Sequence, residues 1–383
     1  MRKLFIRLLV IFTLLLTAGC SSAANKTDKS GTESPTKAET HSGDSTTNGK
    51  GSETKIWPTE KWNTSTPEEQ GLDSKFLSDA DKRIHDNYPN VYSLLVVRHG
   101  YLVYEKYYQG SSSKSYNQVY SVTKSVMSAL TGIAIREKLI TSVDQKISDF
   151  LPDYFKNIDD ANKKDITLYN ALTMSGGLEP IDNNYYAYAS SADWLDYALK
   201  NKLVNKPGEK FAYNTGLPHF LSAIITNTSK TSTLDFANKY LFSEIGISVE
   251  KWEMDQHGYY GGGAGLYMKP EDMARFGYLY LNNGLWDGKQ IIPKEWVKES
   301  TKKHIEADTK RDYGYLFWLQ DINDKVHSKT YSTISADGYG GQKIVIIPDQ
   351  DMVVVITANA QSSSIDKSGD EEIIWDYVLP AVQ

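Results

Sequence analysis

Ser121 and Lys124 stand three positions apart in VYSVTKSVMSALTGIAI, Val119 to Ile135, a stretch that carries no other charge. On a helix that spacing puts both side chains on one face, where a hydroxyl and an amine can meet. A serine hydroxyl is a weak nucleophile until a base takes its proton, and lysine can be that base only when burial lowers its pKa. The same four-residue pattern recurs elsewhere, among other places from Ser52, Ser111, Ser248, Ser300 and Ser364, all in polar or boundary segments. Of these, only Ser121 opens a long apolar run, with Val122, Val126, Ala129, Leu130 and Ile133 on one side and Ser121, Lys124, Ser125 and Ser128 on another. A helix start also supplies free backbone N–H groups and a favourable dipole for negative charge developing on an attacked carbonyl oxygen. The plain alternative for Lys124 is a solvent-facing residue on an amphipathic helix.

The elements around this helix follow from local pattern. DSKFLSDADKRIHDNY, Asp73 to Tyr88, has helical periodicity with Asp73 as N-cap. VYSLLVVRHGYLVYEKYY joins two β-branched and aromatic runs at His99-Gly100, a hairpin signal, and KIVIIP with MVVVITAN forms another around Asp349-Gln350-Asp351. EEIIWDYVLPAV is helical in character, and KPEDMARFGYLYLNNG has an early Pro270, acidic residues in its first turn and an Asn-Gly stop. Strands and helices at both ends with a mostly helical middle predict an α/β (α+β) domain over 56–383. Its antiparallel sheet is assembled from both termini, from about 56–140 and 325–383, with a helical lobe at about 141–324. The glycine-rich HGYYGGGAGL lacks a following GK[ST] and reads as a tight turn or pocket wall.

YSVTKSVMSALTGIAIREKLITSVDQKISDFLPDY closely resembles the Ser-x-x-Lys block of the class C β-lactamase-like serine hydrolases. That family includes class C β-lactamases, D,D-peptidases, esterases and nylon-oligomer hydrolases. ITLYNALTMSGGL, PGEKFAYNTGLPHFLSAII, GGGAGLYMKPEDMARFGYLYLNNG and GYGGQKIVIIP follow in the family's order, so the resemblance runs from about Trp57 to the C-terminus, nearest the nylon-oligomer hydrolase and esterase branch. It implies a β-lactamase/transpeptidase-like fold, Ser121 as nucleophile, Lys124 as its lysine and Tyr213 as the tyrosine of the Tyr-x-Asn block. Thr215 stands where that block usually has asparagine, which bears on contacts to a substrate amide. The family's Lys-Thr-Gly or His-x-Gly motif is represented by Gly338-Tyr339-Gly340, followed by Gly341 and Gln342. The backbone N–H of Tyr339 then joins that of Ser121 as oxyanion donor. The same resemblance puts Thr215, Gly338, Gly340 and Gln342 at the substrate pocket. Tyr185, Tyr186 and Trp194 of DNNYYAYASSADWLDY are candidates for an aromatic rim.

The resemblance implies a serine hydrolase of small esters or amides, with a β-lactamase or D,D-peptidase as the alternative. A binding module that senses penicillin-like molecules without turnover is a third reading. No cation occupies the Gly338-Tyr339-Gly340 motif and Asp337 precedes it, so β-lactams, which are anionic, are expected to do poorly unless Lys343 swings in. No G-x-S-x-G elbow and no H-E-x-x-H pair occurs, so neither an α/β-hydrolase nor a zinc enzyme is supported, and no cofactor is expected. A net charge of -6 without basic clusters argues against nucleic acid.

The first twenty residues have a basic start at Arg2, Lys3 and Arg7, an apolar run from Leu8 to Leu16, and TAGC ending at Cys20. The run is shorter than the roughly 18 to 20 residues a bilayer requires, so it reads as an export signal. TAGC resembles a bacterial lipobox with Thr17 in place of leucine. Lipidation at Cys20 is therefore expected, anchoring the protein to a membrane outside the cytoplasm, or secretion if Cys20 stays unmodified. Cys20 is the only cysteine, so the domain has no disulfide. Residues 21–55 are Ser, Thr, Gly, Lys and Glu with little to bury, and read as a tether. A small-molecule or peptide substrate is expected.

Overall fold

The computed structural model describes residues 57–360 and 369–383, so the expected signal segment with Cys20 and the tether over 21–55 lie outside the described residues. Within these, eight antiparallel strands form the main sheet. They are β1 (Val91–Arg98), β2 (Tyr101–Tyr107), β3 (Ile305–Glu306), β4 (Asp312–Tyr313), β5 (Trp318–Asp324), β6 (Lys329–Gly338), β7 (Gln342–Ile347) and β8 (Met352–Ala358), in spatial order β2-β1-β8-β7-β6-β5-β4-β3. The two expected hairpins meet in the centre, where Leu94 of β1 faces Ile356 of β8 and Val96 faces Val354. The sheet also takes in 305–324, ahead of the boundary near 325 that the sequence suggests. β3 and β4, of two residues each, are too short to show any alternation in the sequence, and β5 is mostly polar, with only Ile322 of its apolar residues buried.

Side chains along each central strand alternate between two cores, as a period of two demands. Leu95 and Val97 of β1, Ile344 and Ile346 of β7, and Val353 and Val355 of β8 face one core. Leu94, Val96, Val345, Ile347, Val354 and Ile356 face the other. Both faces are covered, so these strands read as unbroken apolar runs. The second core is closed by helix α1 (Ser74–Asn87) and the helical segment from Asp370. Asp73 caps α1, its Oδ1 accepting from the Lys75 N–H at 2.8 Å, and Leu77, Ala80 and Ile84 form the buried stripe.

The first core holds the helices that matter for chemistry: α2 (Val122–Arg136), α3 (Leu217–Ser229) and α4 (Pro270–Leu281). Helix α4 lies close on the sheet because Gly277 has no side chain; a Cβ there would sit 2.6 Å from Val353 Cγ1. Helix α2 is buried on every side from Val122 to Ala134, packed against α3 and β6, so its polar residues have no route to bulk solvent. Among the described residues no helix is long and apolar enough to cross a membrane.

Candidate active site

The chain enters α2 through an unusual backbone step. Tyr120 has φ 46, the left-handed region that costs an aromatic residue of order 1 to 3 kcal/mol. The turn is pinned by Thr123, whose N–H and Oγ1 both donate to the Tyr120 carbonyl, at 3.1 and 2.6 Å. Ser121 follows as N-cap of α2 but makes no capping bond. A serine there ordinarily satisfies a first-turn N–H, worth about 1 kcal/mol. Here Oγ lies instead 2.7 Å from Lys124 Nζ.

Lys124 is 1% exposed, which settles the choice left open by the sequence: it is not a solvent-facing residue. Its Nζ also meets the Gly263 carbonyl at 2.7 Å and Thr215 Oγ1 at 3.1 Å, with the Tyr213 ring centre 4.7 Å away. Burial pushes its pKa down to about 7, opposed in part by the negative charge of Asp182. A neutral amine can donate to Gly263 O and Thr215 Oγ1 while its lone pair faces the Ser121 hydroxyl. The glycine-rich segment is therefore more than a turn. A Cβ on Gly263 would lie 2.2 Å from the Thr215 carbonyl, so only glycine lets this loop bring its carbonyl to the lysine. Helix α3 holds the loop in place, with His219 Nδ1 accepting from the Gly262 N–H at 3.4 Å and Ser222 Oγ donating to the Tyr260 carbonyl at 2.6 Å.

Tyr213 is packed on Trp318, ring centres 5.8 Å apart and 20° from parallel, and its hydroxyl bonds to Ser121. Burial, and after it the charges of Asp182 and Asp337, lift its pKa well above the ordinary phenol value against the bond from Ser121, so it is a phenol at neutral pH. Thr215 does not face the open cleft. Its Oγ1 bridges Lys124 to Asp182 Oδ1, 2.6 Å away, while its N–H donates to Asp182 Oδ2 at 2.7 Å. Asp182 thus sits one hydroxyl from the amine. It opens DNNYYAYASSADWLDY, where no local pattern sets it apart from its polar neighbours.

These groups open onto a cleft of about 260 Å³ lined by Ser121, Asp182, Tyr213, Arg311, Trp318, Asp337, Gly338 and Tyr339. Neither the Ser121 N–H nor the Tyr339 N–H has a partner among the described residues. The Tyr339 side chain packs edge-on against Tyr120 at 5.7 Å. Of the other expected pocket residues only Gly338 lines the cleft. Gln342 is buried and clips β7 to β8, donating to the Ala358 carbonyl at 2.6 Å. Gly340 packs against Ala360, Tyr186 is 82% exposed away from the cleft lining, and Trp194 packs on Tyr188 and His219. Lys343 is engaged by Asp337 at 3.3 Å and Asp370 at 3.2 Å, so it does not serve the cleft. The cation that does line it is Arg311, in a loop with no motif to mark it. Among the described residues no cluster of acidic, histidine or cysteine side chains is arranged to hold a metal.

The family model described as Beta-lactamase matches residues 86–378. The 6-aminohexanoate-dimer hydrolase of Paenarthrobacter ureafaciens is 20% identical over 302 residues, 73% of this chain and 74% of that protein. A Bacillus anthracis protein provisionally described as a 6-aminohexanoate-dimer hydrolase superposes with a TM-score of 0.67 at 22% identity, covering 86% of this chain and 91% of that one. EstCE1, a hydrolase with promiscuous acyltransferase activity, superposes with a TM-score of 0.65 at 14% identity, covering 80% and 99%. The chain belongs to the beta-lactamase family and has the mixed α/β serine hydrolase fold of its β-lactamase-like and penicillin-binding-protein-like members.

Proposed function

We propose that this protein hydrolyses small esters or amides through an acyl-enzyme on Ser121. Neutral Lys124 takes the Ser121 proton as Oγ attacks the substrate carbonyl. The Ser121 and Tyr339 N–H groups receive the oxyanion. The Tyr213 phenol, beside both Ser121 and Lys124, passes a proton to the departing alcohol or amine and is replenished from Lys124. Water then attacks the acyl-serine along the same proton path in reverse and restores the free hydroxyl.

The observation that carries this reading is a buried lysine with its pKa held down to about 7 and its Nζ 2.7 Å from a serine hydroxyl at a helix start. The relatives add weight on the substrate side, being described as a 6-aminohexanoate-dimer hydrolase and as a hydrolase with acyltransferase activity. The TAGC segment supports the further proposal that the enzyme works outside the cytoplasm on a lipid anchor at Cys20. Intact mass after fluorophosphonate treatment tests the chemistry: one adduct, mapped to Ser121 and absent in Ser121→Ala, is the expected result. Labelling that survives the substitution, or never occurs, would remove Ser121 as nucleophile.

A further inference from the structure

The cleft carries three charged side chains, and their partners differ. Asp182 is occupied by the N–H and hydroxyl of Thr215, and Asp337 faces Lys343. Arg311 is paired with Asp308, but through one carboxylate oxygen only: Nε and Nη2 both meet Oδ2, at 2.9 and 2.8 Å. Asp308 Oδ1 is taken by the N–H groups of Lys310 and Arg311, both at 2.9 Å, which stops the carboxylate from turning to grip the guanidinium with both oxygens. Nη1 has no partner among the described residues. The side chains are 33% and 40% exposed, and a partly exposed pair of this kind contributes little.

Orientation adds to this. The guanidinium carbon lies 4.1 Å from the Trp318 ring centre, and Trp318 is itself stacked on Tyr213. A guanidinium laid on an aromatic face keeps its in-plane N–H donors available, in the fork geometry that matches a carboxylate. The Trp318 ring lies between it and Tyr213, the tyrosine beside Ser121, so the group it receives is set back from the reacting carbonyl.

We infer that Arg311, held against Trp318, is a specificity-determining residue that binds a carboxylate borne by the substrate several bonds away from the scissile ester or amide. This rests on the hydrolase reading of the same cleft. It names the substrate class: carboxylate-tailed esters or amides rather than neutral ones. Asp308 is the intramolecular competitor that the substrate displaces.

The test compares two ligands alike except for charge, mono-p-nitrophenyl suberate, whose chain is too long for its carboxylate to attack its own ester readily, and its methyl ester, by isothermal titration calorimetry on the full chain carrying Ser121→Ala so that the enzyme consumes neither. The acid binds roughly tenfold tighter than its methyl ester, as one charge-assisted contact allows. Adding Arg311→Gln abolishes that difference by weakening the acid alone, and the unchanged affinity for the methyl ester shows that the cleft is intact. Adding Asp308→Asn in place of Arg311→Gln widens the difference by freeing the guanidinium. Equal affinities, no measurable binding of the acid, or an Arg311→Gln effect equal on both ligands overturns the inference. Turnover of the methyl ester by the unsubstituted enzyme is read separately. Its absence counts against the hydrolase reading, while calorimetry still decides the role of Arg311.

Discussion

The protonation state of Lys124 controls the proposed chemistry, and Asp182 offers a handle on it. With the ordinary value of 10.5, roughly one lysine in three thousand would be neutral at pH 7; at about 7, half are. Asp182 opposes that descent across the Thr215 hydroxyl, which lies 2.6 Å from Oδ1 and 3.1 Å from Nζ. Two charges roughly 5 to 6 Å apart interact by about 0.7 kcal/mol in water and about 3 kcal/mol at the effective dielectric of a protein site, or half a unit to two units of pKa. Asp182→Asn removes the charge at nearly the same shape; its one carbonyl oxygen can still accept from the Thr215 N–H, while its NH2 donates to Thr215 Oγ1 in place of the lost acceptor. Wild-type kcat/KM for p-nitrophenyl butyrate, followed at the isosbestic wavelength of nitrophenol, is expected to rise with pH through an acid limb near 7. In Asp182→Asn that limb moves down by about half a unit to two units, because the ammonium has lost its stabilising neighbour. A limb that stays in place or moves up would refute the assignment of Lys124 as the titrating base.

Four other outcomes are expected. Lys124→Ala and Tyr213→Phe each lower kcat by about 10² to 10⁴, and the double variant falls little below the worse single one, because one proton path is cut in either case; additive losses in steady-state kinetics would show separate roles. Lys124→Met is more stable than the wild type below pH 7, by about 1 to 3 kcal/mol in urea unfolding, since a folded-state pKa lowered from 10.5 to about 7 costs roughly 5 kcal/mol, offset by the bonds to Gly263 and Thr215 that methionine cannot make. The sign follows from the unfolded chain holding the extra proton between about 7 and 10.5: wild-type stability climbs with pH across that window and the methionine variant lacks the climb. Nitrocefin has a lower kcat/KM than p-nitrophenyl butyrate, because a β-lactam carboxylate is fixed close to the reacting bond, where Asp337 stands and Lys343 is already engaged; a higher value reverses that reasoning. Cys20→Ser releases the protein from the membrane fraction, and unchanged fractionation would argue against lipidation.

Much of this molecule is written in short-range pattern. The hairpins about His99-Gly100 and Asp349-Gln350-Asp351 show because strands buried on both faces need unbroken apolar runs and their turns need specific residues. The helices beginning at Ser74 and Pro270 show through an aspartate cap, an N-terminal proline and helical spacing. The serine and lysine that meet in the cleft show for the same reason, since three positions on a helix fix their proximity. Tyr213 was legible only through its block, as one of 26 tyrosines.

What tertiary structure decided is everything that depends on distant segments arriving at one place. No local pattern says that Gly263 will bring a carbonyl to Lys124, that Thr215 will turn from substrate to lysine, or that Asp182 will charge the site through it. Burial of Lys124 on all sides, which lowers its pKa, comes from packing α2 between the sheet and α3, where sequence showed only one apolar face. Gln342, expected at the pocket, was claimed by the β7–β8 pairing because a buried amide must satisfy its hydrogen bonds wherever the chain places it. Arg311 reached the cleft from a polar loop by stacking on Trp318. The sequence by itself determined the reactive pair and the elements that carry it, because those are set by near neighbours and periodicity. The electrostatics of that pair and the shape and charge of its cleft were decided by the fold, because they are sums over residues far apart in the chain.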